Sequence, residues 1–138
     1  MIDFFSETDF TLQNSDEIAL WISKIISQEN CEEGEISYIF CDDEYLLKLN
    51  VEFLKHDTLT DIISFDNSLG NQINGDVFIS IERVKENADT FNVAFENELH
   101  RVIIHGILHY CGYKDKSKED ASVMRKKEEE ALSLRDFA

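Results

Sequence analysis

The amino-acid sequence predicts an α+β fold, with about five helices packed on one small, mixed four-stranded sheet. Short apolar segments of strand length mix with amphipathic helical segments without strict alternation, which argues against a regular α/β repeat. The segment 94–111 is apolar around most of its circumference, so we expect it to be the central, buried helix. The chain has 138 residues, 43% of them hydrophobic, which is enough for one domain spanning residues 1–138.

The N-terminal part of the chain begins with a short apolar run, residues 2–5, that indicates an edge strand. A helix is predicted to begin at Ser15, because acidic residues follow in its first turn, and to end near Glu29. Apolar residues recur there at helical spacing and predict its buried face: Ile18, Trp21, Ile22, Ile25 and Ile26.

A second strand and a second helix are predicted next. Residues 36–41 are rich in aromatic and β-branched side chains, as in a strand of about six residues. Asp42 and Asp43 then predict the N-terminal cap of a helix, because short acidic side chains accept hydrogen bonds from the first backbone N–H groups. Four residues are predicted on its apolar side: Tyr45, Leu46, Leu49 and Phe53.

The third and fourth strands are predicted on either side of a polar loop, residues 67–74. Residues 62–65 and 77–80 are apolar and partly β-branched, which favours strands. A polar segment precedes the third strand, and functional side chains are often presented at such a junction. The alternative is a turn in which Thr60 and Asp61 hydrogen-bond their own backbone.

Three helices are predicted in the C-terminal part of the chain. The first is amphipathic and runs from Glu82 to about Asn92, and the second is the segment 94–111. Ser117, with an acidic residue three positions later, indicates the cap of the last helix. That helix carries a charge run, residues 125–130, which we interpret as a solvated face.

Charge and composition exclude several classes of protein. The net charge of −16 argues against DNA and against non-specific binding of nucleic acid, so an RNA substrate would need a local basic strip or a metal ion. No apolar run approaches the ~20 residues of a membrane span, and the first ten residues lack the basic region of a signal peptide. The 3 cysteines are an odd number, which fits a reducing compartment. We therefore expect a cytoplasmic protein.

Two histidines in the central helix have the spacing of a metal-binding pair. His105 and His109 are four residues apart, so their imidazoles leave the same face of a helix. Gly112 can end the helix in a left-handed conformation, which allows Asp115 to fold back towards the rings. The pattern H-x-x-x-H-x-x-G-x-x-D therefore predicts a metal site of two imidazoles and one carboxylate. The alternative is a pair of half-buried histidines without a metal.

This spacing is similar to that of the metzincin zinc proteases, with Asp115 in place of the third histidine. Those proteases carry a catalytic Glu directly after the first histidine, whereas this chain has Gly106. The sequence therefore predicts a site that has the ligands of a metal-dependent hydrolase but lacks the catalytic base of a protease. His100 and Cys111 lie on other faces of the helix and are not expected to be ligands.

Three segments of the chain carry a family resemblance. They are LTDIISF at 59–65, GDVFIS at 75–80, and 99–115, which contains HGILHYCGY. In this order they resemble the YbeY family of bacterial rRNA maturation factors, and the resemblance covers nearly the whole chain. It implies an α+β fold with a metal at one end of a cleft. It also implies a zinc-dependent, single-strand-specific endoribonuclease that acts in rRNA processing and ribosome quality control.

The chain departs from the family pattern at three positions. The family motif usually reads H-G-x-L-H-x-x-G-x-D-H, and here Asp115 stands at the last histidine and Lys114 at the preceding aspartate. Aspartate is a competent zinc ligand, but it changes the charge of the site and favours harder ions. Many members also have an arginine at the position of Leu54.

The first functional hypothesis is metal-assisted hydrolysis of RNA phosphodiesters. One zinc ion per chain would be held by His105, His109 and Asp115, the two histidines being counted as catalytic, and Asp61 is predicted to handle the proton. Four further residues are predicted to orient the substrate or to meet its phosphates: Thr60, Ser64, Arg101 and Lys114. A mechanism that uses the 2′-hydroxyl of the substrate instead of water stays open.

Two other functions are compatible with the motif. One is another metal-dependent hydrolase, such as a peptidase or amidase, and Gly106 counts against it. The other is a non-catalytic ribosome-assembly protein with a structural zinc, which requires a fourth ligand, and His56 is the spare candidate. The acidic surface favours docking on a basic protein over bare RNA. By resemblance, that partner is expected on the small ribosomal subunit.

Overall fold

Four strands form one mixed sheet in the computed structural model, which describes residues 1–55 and 59–137. The strands are β1 (Ile2–Ser6), β2 (Glu32–Cys41), β3 (Ile62–Asp66) and β4 (Gln72–Ser80). They lie in the order β1-β2-β4-β3; the pairs β1–β2 and β2–β4 are parallel, and β3 is antiparallel to β4. The predicted mixed four-stranded sheet is confirmed.

The same ranges contain five α-helices: α1 (Ser15–Gln28), α2 (Asp43–Leu49), α3 (Ile81–Phe91), α4 (Phe95–Tyr110) and α5 (Lys118–Ser133). The predicted caps of α2 and α5 are confirmed, because the side chains of Asp42 and Ser117 accept hydrogen bonds from the N–H groups of Tyr45 and Asp120. None of the helices described is long and apolar enough to cross a membrane.

The helix α4 contacts the sheet at β3 and β4 and also packs against α1, α3 and α5. Its backbone approaches the sheet closely at Gly106, where an added Cβ would lie 3.2 Å from Cδ1 of Ile62. The hydroxyl of Tyr38, in β2, donates a hydrogen bond of 2.9 Å to the carbonyl oxygen of Ile103. These contacts hold α4 in one orientation, with His105 and His109 only partly exposed beside the core.

The strands β2 and β4 are longer than the sequence predicts. β2 begins at Glu32 instead of residue 36, and β4 begins at Gln72, inside the predicted loop 67–74. Glu32 and Gln72 are partners in the parallel ladder between the two strands. Both residues are polar and exposed, so no apolar pattern in the sequence indicates that they belong to strands. Backbone hydrogen bonding to the neighbouring strand extends the two elements instead.

The predicted apolar side of the second helix is wrong at Phe53. α2 ends at Leu49, and a π-helical turn, Asn50–Leu54, follows it. Because a π-helical turn holds more residues than an α-helical turn, Phe53 leaves the line of the buried Leu46. Its ring is 60% exposed and meets the ring of Phe65 edge-on, with 5.8 Å between the centroids.

The charge run of α5 is not a fully solvated face, and this interpretation is wrong for Glu128. Glu128 is only 5% exposed, and it shares the inward face of the helix with Met124, Ala131 and Leu132. These positions follow the i, i+4, i+7 and i+8 spacing of one helix stripe. Most of the neighbouring charged residues are exposed, as predicted.

His100 lies on another face of α4 from the two candidate ligands and is buried in the core. Its Nδ1 accepts a hydrogen bond of 2.8 Å from the guanidinium of Arg135, and its ring packs near Trp21 and Phe137. Burial, helped by the positive charge of Arg135, lowers the pKa of His100 from 6.5 to about 4. His100 is therefore neutral in the folded protein at neutral pH.

This lowered pKa predicts a loss of stability in mild acid. Between about pH 6.5 and pH 4 the unfolded chain binds a proton at His100 and the folded chain does not, so protonation favours unfolding as the pH falls. At pH 5 the penalty is about 2 kcal/mol. The free energy of unfolding in urea should fall less between pH 7.5 and pH 5 for His100→Asn than for wild type. The asparagine keeps a hydrogen-bond acceptor but does not titrate. Equal losses for the two proteins would contradict the prediction.

Candidate metal centre

Three side chains converge at the C-terminal end of α4. His105 and His109 lie one turn apart on the helix, and their Nε2 atoms are 3.0 Å from each other. The Oδ2 atom of Asp115 lies 3.2 Å from Nε2 of His105 and 3.3 Å from Nε2 of His109. Within the part of the chain that the structure describes, this is the only group of three or more potential ligand residues whose atoms come this close together.

The three atoms form a nearly equilateral triangle that fits a metal ion. A tetrahedral zinc ion with bonds of about 2.0–2.1 Å holds its ligand atoms about 3.3 Å apart. The observed separations of 3.0, 3.2 and 3.3 Å match one face of such a tetrahedron. Two imidazole nitrogens and one carboxylate oxygen are also a donor set that zinc and related transition metals accept.

The turn that brings Asp115 back is a Schellman motif at the end of α4. Gly112 has a φ of 106°, in the left-handed region that favours glycine. The N–H of Gly112 donates to the carbonyl oxygen of His109, and the N–H of Tyr113 donates to that of Leu108, each at 3.0 Å. The helix therefore ends where the sequence predicts, and the following residues turn back towards the imidazoles.

Glu128 is part of this centre, and sequence analysis missed it. Its Oε2 atom lies 2.7 Å from Nδ1 of His105, on the side of the ring opposite the triangle. Burial alone would lower the pKa of His105, but the hydrogen bond and charge of Glu128, with smaller contributions from Asp115 and Asp61, raise it. The signal in the sequence was the apolar stripe of α5, which the surrounding charge run obscured.

A cavity of about 320 Å³ adjoins the triangle, between α3, α4 and α5. His105 and Asp115 line one part of it, together with Glu128. Phe91 and Arg125 also line it, and both side chains are largely exposed, the ring by 56% and the arginine by 59%. The cavity thus combines the candidate ligands with an aromatic surface and a cation.

Asp61 lies in the wall of the same cavity, so the structure brings it together with His105 as the sequence hypothesis requires. Its Oδ2 accepts a hydrogen bond of 3.4 Å from the amide of Asn87, and its carbonyl oxygen accepts one of 3.0 Å from the N–H of Ser80. Burial raises the pKa of Asp61, although the nearby charge of His105 opposes the shift.

The other residues predicted to contact the substrate lie at different places in the structure. Thr60 donates a long hydrogen bond of 3.4 Å to the carbonyl oxygen of Ile62, as the alternative turn predicts. Ser64 is exposed on β3, near the hydroxyl of Tyr110. Neither residue lines the cavity. Lys114 is exposed next to Asp115.

Arg101 lines the cavity but is already paired with carboxylates. Its guanidinium lies 3.1 Å from Glu128, 2.7 Å from Glu129 and 4.0 Å from Glu98, and its side chain is 11% exposed. These pairs leave little of the cation for a phosphate. The predicted contact of Arg101 with a phosphate stays a prediction. The more exposed Arg125 is a second candidate for such a contact.

Cys111, which was considered as an extra ligand, does not join the triangle. The thiol of Cys111 lies near that of Cys31, and Cys111 is not among the grouped ligand residues. His56, the candidate for a fourth ligand of a structural site, lies outside the described residues. Gly106, at the position of the metzincin glutamate, faces Ile62 and Val77 of the sheet, and an added Cβ there would lie 3.2 Å from Cδ1 of Ile62.

Comparison with known proteins gives consistent matches. A family model described as Endoribonuclease YbeY matches residues 3–135. The Endoribonuclease YbeY of Flavobacterium johnsoniae is 61% identical over 134 residues, which cover 97% of this chain and 96% of that protein. The one of Cytophaga hutchinsonii is 50% identical over 138 residues, covering 99% and 96%. The solution structure of TM1509 from Thermotoga maritima has a TM-score of 0.67 and 30% identity, covering 96% of this chain and 90% of that one.

Proposed function

The chain belongs to the YbeY family of endoribonucleases, as its three resembling segments predict, and from this premise we propose that it is a zinc-dependent endoribonuclease. The proposed substrate is single-stranded rRNA, cut during rRNA maturation and ribosome quality control in the cytoplasm. The observation that carries the proposal is the triangle of His105, His109 and Asp115 beside a cavity that is also lined by the partly buried Asp61.

One zinc ion per chain is proposed to be held by the three residues of the triangle. A zinc ion so held supplies a Lewis acid for a phosphoryl oxygen and an acidified water at neutral pH. His105 and His109 contribute neutral donors, and Asp115 contributes one negative charge, which the third histidine of the family pattern would not.

Asp61 is proposed as the group that accepts the proton from the nucleophile, whether this is water or the 2′-hydroxyl of the substrate. Its carboxyl lines the same cavity as His105. A carboxyl whose pKa burial has raised is a stronger base than an exposed one, and this suits proton transfer near neutral pH. The amide of Asn87 limits the orientations of this carboxyl.

Unpaired RNA is the proposed substrate because the cavity combines two features that recognise it. The exposed ring of Phe91 offers a stacking surface, and the face of a base is available for stacking only outside a duplex. Within the described residues, Arg125 makes only long ion pairs, of 3.8 and 4.0 Å, and can turn to a phosphate. Such local contacts are needed because the chain as a whole repels RNA with a net charge of −16.

The small ribosomal subunit, or one of its proteins, is proposed to present this RNA. A surface with a net charge of −16 attracts basic proteins and is repelled by bare phosphates. Docking on a basic ribosomal protein would therefore bring the cavity to its substrate.

Cleavage of matched RNAs tests this function. Zinc-loaded protein is given a labelled single strand, the same strand in a duplex, and purified small ribosomal subunits. We expect the single strand to be cut at least about tenfold faster than the duplex. Asp61→Asn should lower the rate on the single strand about 10²–10⁴-fold, with the zinc content unchanged.

The matched control is Asp89→Asn, which changes an exposed carboxylate of α3 that does not line the cavity and should leave the rate unchanged. Equal rates for wild type and Asp61→Asn would exclude the proton-transfer role. Turnover of a peptide or amide without cleavage of RNA would favour the peptidase or amidase alternative. Bound zinc with no turnover of any substrate would favour the structural-zinc alternative.

A further inference from the structure

Glu128 is a buried carboxylate whose two oxygens have different partners. Oε2 lies 2.7 Å from Nδ1 of His105, and Oε1 lies 3.1 Å from the guanidinium of Arg101. The residue is 5% exposed, although it lies within the charged segment of a surface helix. A buried carboxylate is costly unless its partners compensate the loss of water, so these two contacts account for its position.

We propose that Glu128 is a positioning residue that acts through His105 and sets how tightly the chain holds its metal ion. The inference rests on the proposed function to the extent that the triangle binds a metal. It assigns to α5 a part in the metal centre, although the ligand motif contains no residue of α5.

The physical reason lies in the two nitrogens of the imidazole. A neutral ring carries one N–H and one free lone pair, and a carboxylate beside Nδ1 holds the proton on that nitrogen. The lone pair of Nε2 is then directed at the triangle, where the other two ligand atoms lie 3.0 and 3.2 Å away. The negative charge of Glu128 also makes Nε2 a stronger donor, and such partners commonly change metal affinity 10–100-fold.

Arg101 completes the arrangement by donating a hydrogen bond to the other carboxylate oxygen of Glu128. Its guanidinium contacts Glu98, Glu128 and Glu129 and is itself largely buried. A cation at this place offsets the cost of burying the carboxylate. His109 has no comparable carboxylate on its second nitrogen among the residues described, so the effect is specific to His105.

Metal affinity, measured without RNA, tests the inference. The zinc dissociation constant of each protein is determined by competition with a chromophoric chelator. Glu128→Leu, which removes both the acceptor and the charge, should weaken zinc binding about 10–100-fold. Glu128→Gln keeps an acceptor but loses the charge, so its affinity should lie between those of Glu128→Leu and wild type. If Glu128→Leu does not fold, the nearly isosteric Glu128→Gln carries the test alone.

The matched control is Glu129→Leu, because Glu129 is on the same helix, also binds Arg101 and is 58% exposed. Its zinc affinity should stay within about threefold of wild type, since it does not touch a ligand. Cleavage of RNA by Glu128→Gln should recover at saturating zinc. Equal affinities of wild type and both Glu128 variants would overturn the inference while leaving the proposed function intact. Absence of zinc binding in wild type would instead remove the metal site on which the proposed function depends.

Discussion

His109→Ala removes zinc and RNA cleavage together, according to the geometry of the metal centre. The substitution deletes one of three ligand atoms that lie 3.0–3.3 Å apart, and the two that remain cannot enclose an ion. We expect the zinc content to fall from about one to below about 0.1 per chain, and cleavage to fall at least about 10³-fold. Elemental analysis of protein purified without a histidine tag, followed by the cleavage assay, measures both.

His100→Asn is the matched control for His109→Ala, because it also replaces a histidine of α4. His100 is buried against Trp21 and Phe137 and bonded to Arg135, away from the triangle. This variant should keep its zinc and its activity at pH 7.5. Full zinc content in His109→Ala would contradict the assignment of the site. An intact wild-type fold without zinc would support the alternative of two half-buried histidines.

Gly75→Ala has the largest effect expected on stability. Gly75 lies in β4 opposite Asp66, and an added Cβ would overlap the carbonyl oxygen of Phe65 and the hydroxyl of Tyr110. That hydroxyl donates to the carbonyl oxygens of Phe65 and Asp76, at 3.2 and 3.3 Å, so it cannot move away without losing these bonds. The overlap can be relieved only if β3 separates from β4. We expect the free energy of unfolding to fall by about 3 kcal/mol or more.

Urea unfolding of Gly75→Ala and Gly106→Ala side by side checks this prediction. An added Cβ at Gly106 meets only the ends of two side chains, at 3.2 Å from Ile62 and 3.5 Å from Val77. These side chains can shift slightly, so Gly106→Ala should cost about 1 kcal/mol or less. A smaller loss for Gly75→Ala than for Gly106→Ala would show that the strand pair adapts and that the predicted overlap is relieved.

Local patterns in the sequence were sufficient for much of the fold. The apolar periodicity of α1 and α4 and the capping residues Asp42 and Ser117 predicted helices that the structure contains. These signals work because helical periodicity and capping depend on residues a few positions apart. The sequence was less informative at the start of β2 and β4, where pairing between strands and not side-chain character determines the element.

The triangle of candidate ligands could be predicted from local sequence alone. His105, His109 and Asp115 lie within eleven residues, and the helix repeat together with the left-handed Gly112 is enough to bring them together. The family resemblance depends on the same segment and on two shorter ones. Local geometry and short motifs therefore carried the prediction of the centre.

The surroundings of that triangle depend on how distant parts of the chain pack together. Glu128 is 23 residues from His105 in the chain, and its charged neighbours suggested a solvated helix face. It is buried because α5 packs against α4 and because Arg101 compensates its charge at 3.1 Å. The same packing of distant elements encloses Asp61 in the cavity beside His105. Burial and its effect on a pKa depend on neighbours from the whole fold, which no local pattern of residues encodes.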